Sequence, residues 1–458
     1  METRTIRVRE IFDNSGFTSY QALVCSLCFL VTFLDGFDLT VIGVALPKMA
    51  DFLKVKPSAL GVALSVGQFG PLVGAMALGM LADRWGRKWC LTVSALIFGV
   101  FTLMTAFVTS VEQVALYRFI AGLGLGGAVP NALAFGSEYA PARSRATFVT
   151  FMYAGMPGGS VLGALSAIWL IPHYGWQSLF LLGGAVPIVI ALAVAVALPE
   201  SLEFLVGHNR DETRIRGIVG RIAPALAQDR AVQFVPSEKK LPGVPVKHLF
   251  TEARAPVTLL LWIGLVGSLY SMWVLTAWAP TMLRKTGATV QQYSLATAGL
   301  HFGAFIATIF IGRFMDKFNR FKVLLVGFVL SAASLVAFGQ VAAGSFGIIF
   351  IAAVFSGMFT NGSNSGLLAA ATIAYPPAIR GTGTGWAYAI AKIGAMLAPA
   401  LVGFMLATGW SVAQICNGNA LVALFVAAVV ITLKGRVAAA DRIAAGGPEK
   451  KDIVQKAA

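Results

Sequence analysis

Charge is what this sequence has least of. Only 12% of its 458 residues are Asp, Glu, Lys or Arg, while 57% are hydrophobic; a soluble domain carries about 25% charged residues. That balance excludes an ordinary soluble domain and points to an integral membrane protein. Histidine is nearly absent too. The four present (His173, His208, His248 and His301) never fall at H-x-x-x-H spacing, so no zinc-hydrolase constellation is available and a membrane enzyme has nothing to work with. Cysteine numbers four, and Cys25, Cys28, Cys90 and Cys416 all lie in or beside apolar runs. Cys25 and Cys28 form a C-x-x-C with no second pair, which reads as small buried residues rather than a redox or metal site. No nucleotide-binding motif occurs, which argues against ATP drive, and no signal-peptide pattern precedes the first apolar run, since Met1 to Gly16 is polar and mixed in charge.

What the sequence has in abundance is apolar runs of spanning length. They fall at about 20–46, 58–82, 90–109, 112–136, 146–171, 177–198, 256–280, 291–312, 323–342, 345–374, 383–408 and 411–433. Twelve spans put both termini on one side. Most of the 35 Lys and Arg fall in segments on that side, whereas the other side holds only Lys48, Lys54, Lys56, Arg284 and Lys285. The positive-inside rule therefore predicts cytoplasmic termini in a multi-pass protein of the inner (cytoplasmic) membrane. The same distribution accounts for the net charge of +15 without invoking nucleic acid.

Between the sixth and seventh spans lies the one long polar segment. It divides the chain into a six-helix bundle over 1–198, an interdomain loop over 199–255, a second bundle over 256–433 and a tail over 434–458. The bundles echo each other. Gly79-Met-Leu-Ala-Asp83-Arg84-Trp-Gly86-Arg87-Lys88 follows the second span, and Gly312-Arg313-Phe-Met-Asp316-Lys317 follows the eighth. Tyr139-Ala-Pro141-Ala-Arg143 after the fourth span is matched by Tyr375-Pro-Pro377-Ala-Ile-Arg380 after the tenth. Two similar six-helix halves are the architecture of an alternating-access transporter.

A few charges nevertheless lie deep in the apolar runs, where an ionised side chain costs at least about 2.5 kcal/mol and marks function by default. Asp35 and Asp38 share one helix face in Phe33-Leu-Asp-Gly-Phe-Asp38. At about 1.5 Å per residue they lie roughly 18 Å and 13 Å from Pro47, within a core about 30 Å thick. Arg118 enters the fourth span to a comparable depth, and the glycines that follow it (Gly122, Gly124, Gly126, Gly127) are expected to let the first and fourth helices approach. Asp38 and Arg118 can pair, either as a structural ion pair or as a proton gate. Lys392 lies about 18 Å past Arg380 in the eleventh span, and no carboxylate occurs in the second-half spans. It either binds an anionic substrate or snorkels to the surface. His301, in the eighth span, is either a neutral helix contact or a relay or substrate ligand. Glu138, at the end of the fourth span, either relays protons or bridges to Arg143 or Arg145. Asn364 lies in an unusually polar stretch of the tenth span, and Tyr270 and Tyr388 offer deep aromatic faces for a ring. Trp273, Trp278 and Trp386 supply further aromatic faces, those near span ends being read as interfacial anchors.

The G-x-x-x-D-R-x-G-R-K run at 79–88 resembles the signature loop of the major facilitator superfamily, in the matching interhelical position, and the resemblance covers essentially the whole chain. Asp35-Gly36-Phe37-Asp38 resembles the D-G-x-D of its aromatic acid:proton symporters. The resemblance implies an all-α fold of twelve transmembrane helices in two pseudo-symmetric bundles, a functional monomer, no cofactor beyond the proton gradient, and no enzymatic activity. It implies proton-coupled import of a small aromatic carboxylate of the benzoate or hydroxybenzoate kind. Asp35, Asp38, Arg118 and Glu138 then serve proton coupling, and Lys392, His301, Asn364, Tyr270 and Tyr388 serve the substrate. Gly79, Asp83, Arg84, Gly86, Arg87, Lys88 and Asp316 form a cytoplasmic gate. Family members commonly carry Arg where this chain has Lys392. The competing readings are a porter for another organic acid or a sugar-like metabolite, and, in a different class, a channel or receptor.

Overall fold

Each apolar run folds as one long helix, because with no water to hydrogen-bond the backbone a spanning segment must satisfy its own amides. The computed structural model describes residues 4–14, 18–141, 145–208, 212–229, 231–236, 246–251, 254–375 and 380–444. A short strand β1 (Arg4–Arg7) and helix α1 (Val8–Asn14) precede the first six spanning helices, α2 (Ser19–Phe52), α3 (Pro57–Trp85), α4 (Arg87–Thr105), α5 (Val111–Tyr139), α6 (Arg145–Tyr174) and α7 (Gln177–Ala197). Short elements follow: α8 (Leu202–Gly207), α9 (Glu212–Gly220), α10 (Pro224–Gln228) and β2 (Val232–Val235). The second six are α11 (Ala255–Lys285), α12 (Val290–Lys317), α13 (Arg320–Val341), α14 (Phe346–Ala374), α15 (Arg380–Ala407) and α16 (Val412–Ala444). Twelve helices among the described residues are long and apolar enough to cross a membrane, as the sequence predicts.

Several ends differ from expectation. The first spanning helix continues through Pro47 to Phe52, because Met49 and Ala50 beyond the proline are buried and packing holds the extra turn. The last runs on to Ala444, inside what the sequence suggests is a tail.

The chain forms two compact units. Unit 1 comprises Met1–Met49 and Val66–Lys240; unit 2 comprises Ala50–Ser65 and Leu241–Ala458. Lipid offers no hydrophobic drive between helices, so close packing at small residues carries the assembly of each unit. In unit 1, α2 meets α6 so closely that a Cβ on Gly36 would sit 1.7 Å from the Met156 carbonyl oxygen. In unit 2, α11 packs along α15 in the same manner, with Gly394 against the Val266 carbonyl.

The interdomain segment carries a small folded layer on unit 1. Strand β1 pairs in parallel with β2 in the register Arg4↔Val232 to Arg7↔Val235. Ile6, Val8, Ile11 and Phe12 join Leu202, Leu205, Ile215, Ile218, Val219 and Val232 in a core that continues into the helix ends through Phe135, Tyr139 and Val194. Arg216 ties the layer together by donating to the carbonyls of Ala227, Asp229 and Val232 at 3.2, 2.9 and 3.1 Å. The N-terminal segment reads as polar in sequence because Ile6, Val8, Ile11 and Phe12 are spread among charges. Phe12 is 1% exposed and meets the Tyr139 ring edge-on at 5.1 Å. Phe12→Ala is expected to cost about 3–5 kcal/mol of local stability. Limited proteolysis of the N-terminal segment checks this: cleavage should accelerate at least tenfold in the variant, and equal rates would contradict the packing.

Candidate functional site

In unit 1 the deep charges meet. Asp38, on α2, is 1% exposed and Arg118, on α5, is 7% exposed. The guanidinium grips the carboxylate with two parallel bonds, Nη1 donating to Oδ1 at 2.8 Å and Nη2 to Oδ2. Thr102, on α4, donates its hydroxyl to Oδ1 at 3.2 Å. A bidentate fork with a third donor gives both carboxylate oxygens a partner. The carboxylate and the guanidinium thus match each other in charge and in geometry. Asp35, one turn away, is half-buried, and its charge reaches Arg118.

The helix contacts that allow this pairing differ from expectation. The glycines after Arg118 do not face the first spanning helix. Gly122 and Gly126 pack on Pro71 of α3, and Gly124 and Gly127 pack against Ser94 of α4. Gly67 of α3 also lies on the Cβ of Arg118. The glycines of α5 therefore seat it on α3 and α4, and the arginine reaches Asp38 by its own length.

In unit 2, α11 is flanked by the other candidates. Asn364 on α14 accepts from the Ser268 hydroxyl at 3.0 Å and its amide nitrogen contacts the Met272 sulfur at 3.8 Å. The half-buried Tyr270 lies between those two residues in the chain, and its backbone nitrogen would be 2.8 Å from a Cβ on Gly394 of α15. Two residues before that glycine is Lys392, half-buried, its ammonium 5.1 Å from the centroid of the exposed Tyr388 ring. A cation held over an aromatic face one helical turn away is pre-positioned at modest cost. His301 is buried on α12, where Leu300 and Gly303 touch α14. The aromatic residues divide. Trp278 is fully buried against Gly61 and Trp273 is 5% exposed, so both are packing residues of unit 2 rather than interfacial anchors. Trp386 stacks on Trp262 at 6.3 Å.

The signature loop engages acceptors of its own unit. Gly86 adopts φ +98°, a conformation that favours glycine, and a Cβ there would meet the Glu200 carboxylate at 2.2 Å. Glu200 Oε1 accepts from the backbone nitrogens of Lys88 and Ser201 at 3.1 and 2.9 Å. Glu138 is bridged by Arg87 at 2.6 Å and accepts from the Ser201 hydroxyl at 2.5 Å. Of the expected partners of Glu138, Arg145 is therefore replaced. Arg145 donates instead to the carbonyls of Ser137 and Ala140, and Arg143 lies outside the described residues. The geometry of the loop decides this, since it brings Arg87 beneath the end of α5. Arg84 and Asp316 are exposed, Gly79 faces open space, and the Asp83 side chain lies outside the described set. The repeated tyrosines occupy equivalent positions at the helix ends. Tyr139 donates to the Glu200 carbonyl at 3.2 Å, and Tyr375 bonds Thr258 at the start of α11 at 3.3 Å. Thr102, Glu200 and Ser201 escape a search for deep charges; the Pro199-Glu200-Ser201 run was the available signal for the last two.

Comparison with known proteins finds similarity over most of the chain. The family model described as sugar (and other) transporter matches residues 24–439. The 4-hydroxybenzoate transporter PcaK of Acinetobacter baylyi is 34% identical over 443 residues, covering 95% of this chain and 96% of that protein. The 3-(3-hydroxy-phenyl)propionate transporter of Escherichia coli is 33% identical, covering 92% and 96%. Among solved structures, the xylose transporter XylE from E. coli, in a partially occluded inward-open conformation, superposes with a TM-score of 0.68 at 19% identity, over 90% of this chain and 97% of that one. That level of identity speaks for the fold.

Proposed function

The chain belongs to the sugar (and other) transporter family of the major facilitator superfamily, and on that premise we propose that it imports a small aromatic carboxylate together with protons by alternating access. It is a multi-pass membrane transporter and not an enzyme. The carrying observation is the buried Asp38 and Arg118 pair, in a chain whose relatives are named for 4-hydroxybenzoate and for 3-(3-hydroxy-phenyl)propionate. In this reading Asp38 takes a proton from outside on a carboxylate oxygen and Arg118 is released; loss of that proton to the cytoplasm re-forms the pair. Asp35 shares the proton traffic. Lys392 supplies positive charge for the substrate carboxylate, and Tyr270, Tyr388 and Asn364 supply ring faces and an amide. His301 serves as a substrate or relay group of unit 2. Arg87, Lys88 and Glu138 regulate access from the cytoplasm, the side on which both termini of this inner-membrane protein lie. The working unit is a monomer, needing no cofactor beyond the proton gradient.

Proteoliposome uptake of labelled 4-hydroxybenzoate tests the reading. Accumulation should saturate, require an acidic exterior, collapse with a protonophore and be competed by benzoate but not by xylose. Accumulation indifferent to the protonophore removes proton coupling, and competition by xylose alone moves the chain to the sugar porters. Flux that never saturates returns the channel alternative.

A further inference from the structure

Unit 1 contains a cavity of about 880 Å³ that neither the proton site nor the substrate residues use. It opens where three spanning helices end on the side of the N terminus: α3 contributes Trp85, α4 contributes Lys88 and Trp89, and α7 contributes Val196. Its other wall is the small folded layer, through Arg214 and Ile218 of α9 and through Arg221 just beyond that helix. Trp85 is 61% exposed, Trp89 53% and Val196 87%. At the ends of membrane-spanning helices, exposed Trp marks the boundary between headgroups and acyl chains, where the indole sits with one edge wet.

The charges facing this opening are of one predominant sign. Arg214 and Arg221 are exposed, Lys88 is half-buried, and Glu200 is the one carboxylate in the lining. One Glu200 oxygen is already engaged by the backbone nitrogens of Lys88 and Ser201 and the other lies at Gly86, which ties the acid to the wall. The Arg221 guanidinium lies 5.2 Å from the Tyr20 ring and the Lys88 ammonium 5.5 Å from the Trp89 ring. Two of the three cations are thus held against aromatic faces. An apolar lining of Trp85, Trp89 and Val196 at helix ends, beside Lys88, Arg214 and Arg221, matches the two parts of a phospholipid with a net negative headgroup.

We propose that this cavity is a binding site for an anionic phospholipid of the leaflet on the N-terminal side, with the phosphodiester held by Arg214, Arg221 and Lys88 and an acyl chain running along Trp89 and Val196. A zwitterionic lipid would fill the same volume but bring its own cation to the cluster. A soluble phosphate would match the cations and leave the exposed indoles and Val196 uncovered. Each arginine near the membrane surface adds about fivefold to the affinity for an anionic lipid.

Tryptophan quenching in the delipidated full chain tests this, using phosphatidylglycerol or phosphatidylcholine brominated on the acyl chains. The share of the signal lost in Trp85→Phe/Trp89→Phe reports the site against the remaining tryptophans. Brominated phosphatidylglycerol should quench that share at roughly tenfold lower mole fraction than brominated phosphatidylcholine. Arg214→Gln alone should reduce the preference about fivefold, and Arg214→Gln/Arg221→Gln should abolish it. Because the Arg214 side chain is exposed, the single variant keeps the test valid if the double variant misfolds. Equal quenching by the two lipids overturns the proposal, as does an unchanged preference in Arg214→Gln. Displacement of the brominated phosphatidylglycerol by inorganic phosphate at equal concentration assigns the cations to a soluble anion and overturns the lipid assignment. Failure here leaves the transport reading intact, since uptake is measured separately.

Discussion

Arg118→Gln is expected to abolish accumulation of an aromatic acid, lowering initial uptake at least a hundredfold, and to destabilise the protein by about 3–5 kcal/mol. The stability loss follows from stranding the ionised Asp38, which is 1% exposed, without its fork of donors. Asp38→Asn strands the guanidinium and should cost a similar amount. The double variant Asp38→Asn/Arg118→Gln removes both charges from the interior and should recover most of the stability, because a neutral amide pair carries little desolvation penalty. It should not recover coupled transport. That contrast separates a proton gate from a structural ion pair. Thermal unfolding of the three variants in detergent reads the first quantity, and uptake with and without a protonophore reads the second. A refolded, stable double variant that still accumulates substrate and still responds to the protonophore would remove Asp38 from the coupling mechanism.

The second large effect is at Lys392. Lys392→Gln keeps most of the side-chain length and removes the charge, so a carboxylate that depends on it should bind more weakly by about 2–5 kcal/mol, a loss of roughly 30-fold or more in affinity. The Tyr388 ring lies 5.1 Å from the ammonium. Tyr388→Leu should therefore weaken binding by a smaller factor of about three to five. Lys392→Arg restores charge but spreads it over a planar fork, and should return most of the affinity. Calorimetric titration with 4-hydroxybenzoate checks the series. A dissociation constant for Lys392→Gln within threefold of the parent would show that the lysine serves another purpose, such as reaching the headgroups.

How far the sequence could be read differs from residue to residue. Asp38 and Arg118 were legible as partners because depth follows from counting residues along a helix, and two opposite charges at similar depth in oil have strong reason to meet. Thr102 was not legible, since a hydroxyl carries no depth penalty to betray it. The glycines after Arg118 were legible as packing residues but not as to partner. A small residue declares that something approaches, and only the arrangement of α3 and α4 says what. Glu138 shows the same limit. Its sequence neighbours Arg143 and Arg145 looked nearest, yet the turn at Gly86 delivers Arg87 from fifty residues away. The N-terminal strand was invisible for a further reason: four apolar residues among charges form no periodic pattern until β2 supplies the second edge.

The twelve spans and the presence of charge within them came from the sequence itself, because the membrane imposes a length and a cost per charge that act locally along the chain. The partner of each buried group and the layer formed by β1, α1, α8, α9 and β2 were decided only in three dimensions. So was the cation-rimmed cavity behind Trp85 and Trp89. A hydrogen bond or a cavity wall is a relation between helices distant in sequence. It is set by which surfaces fit, and the bilayer, as apolar as the helices it surrounds, does not choose among those fits.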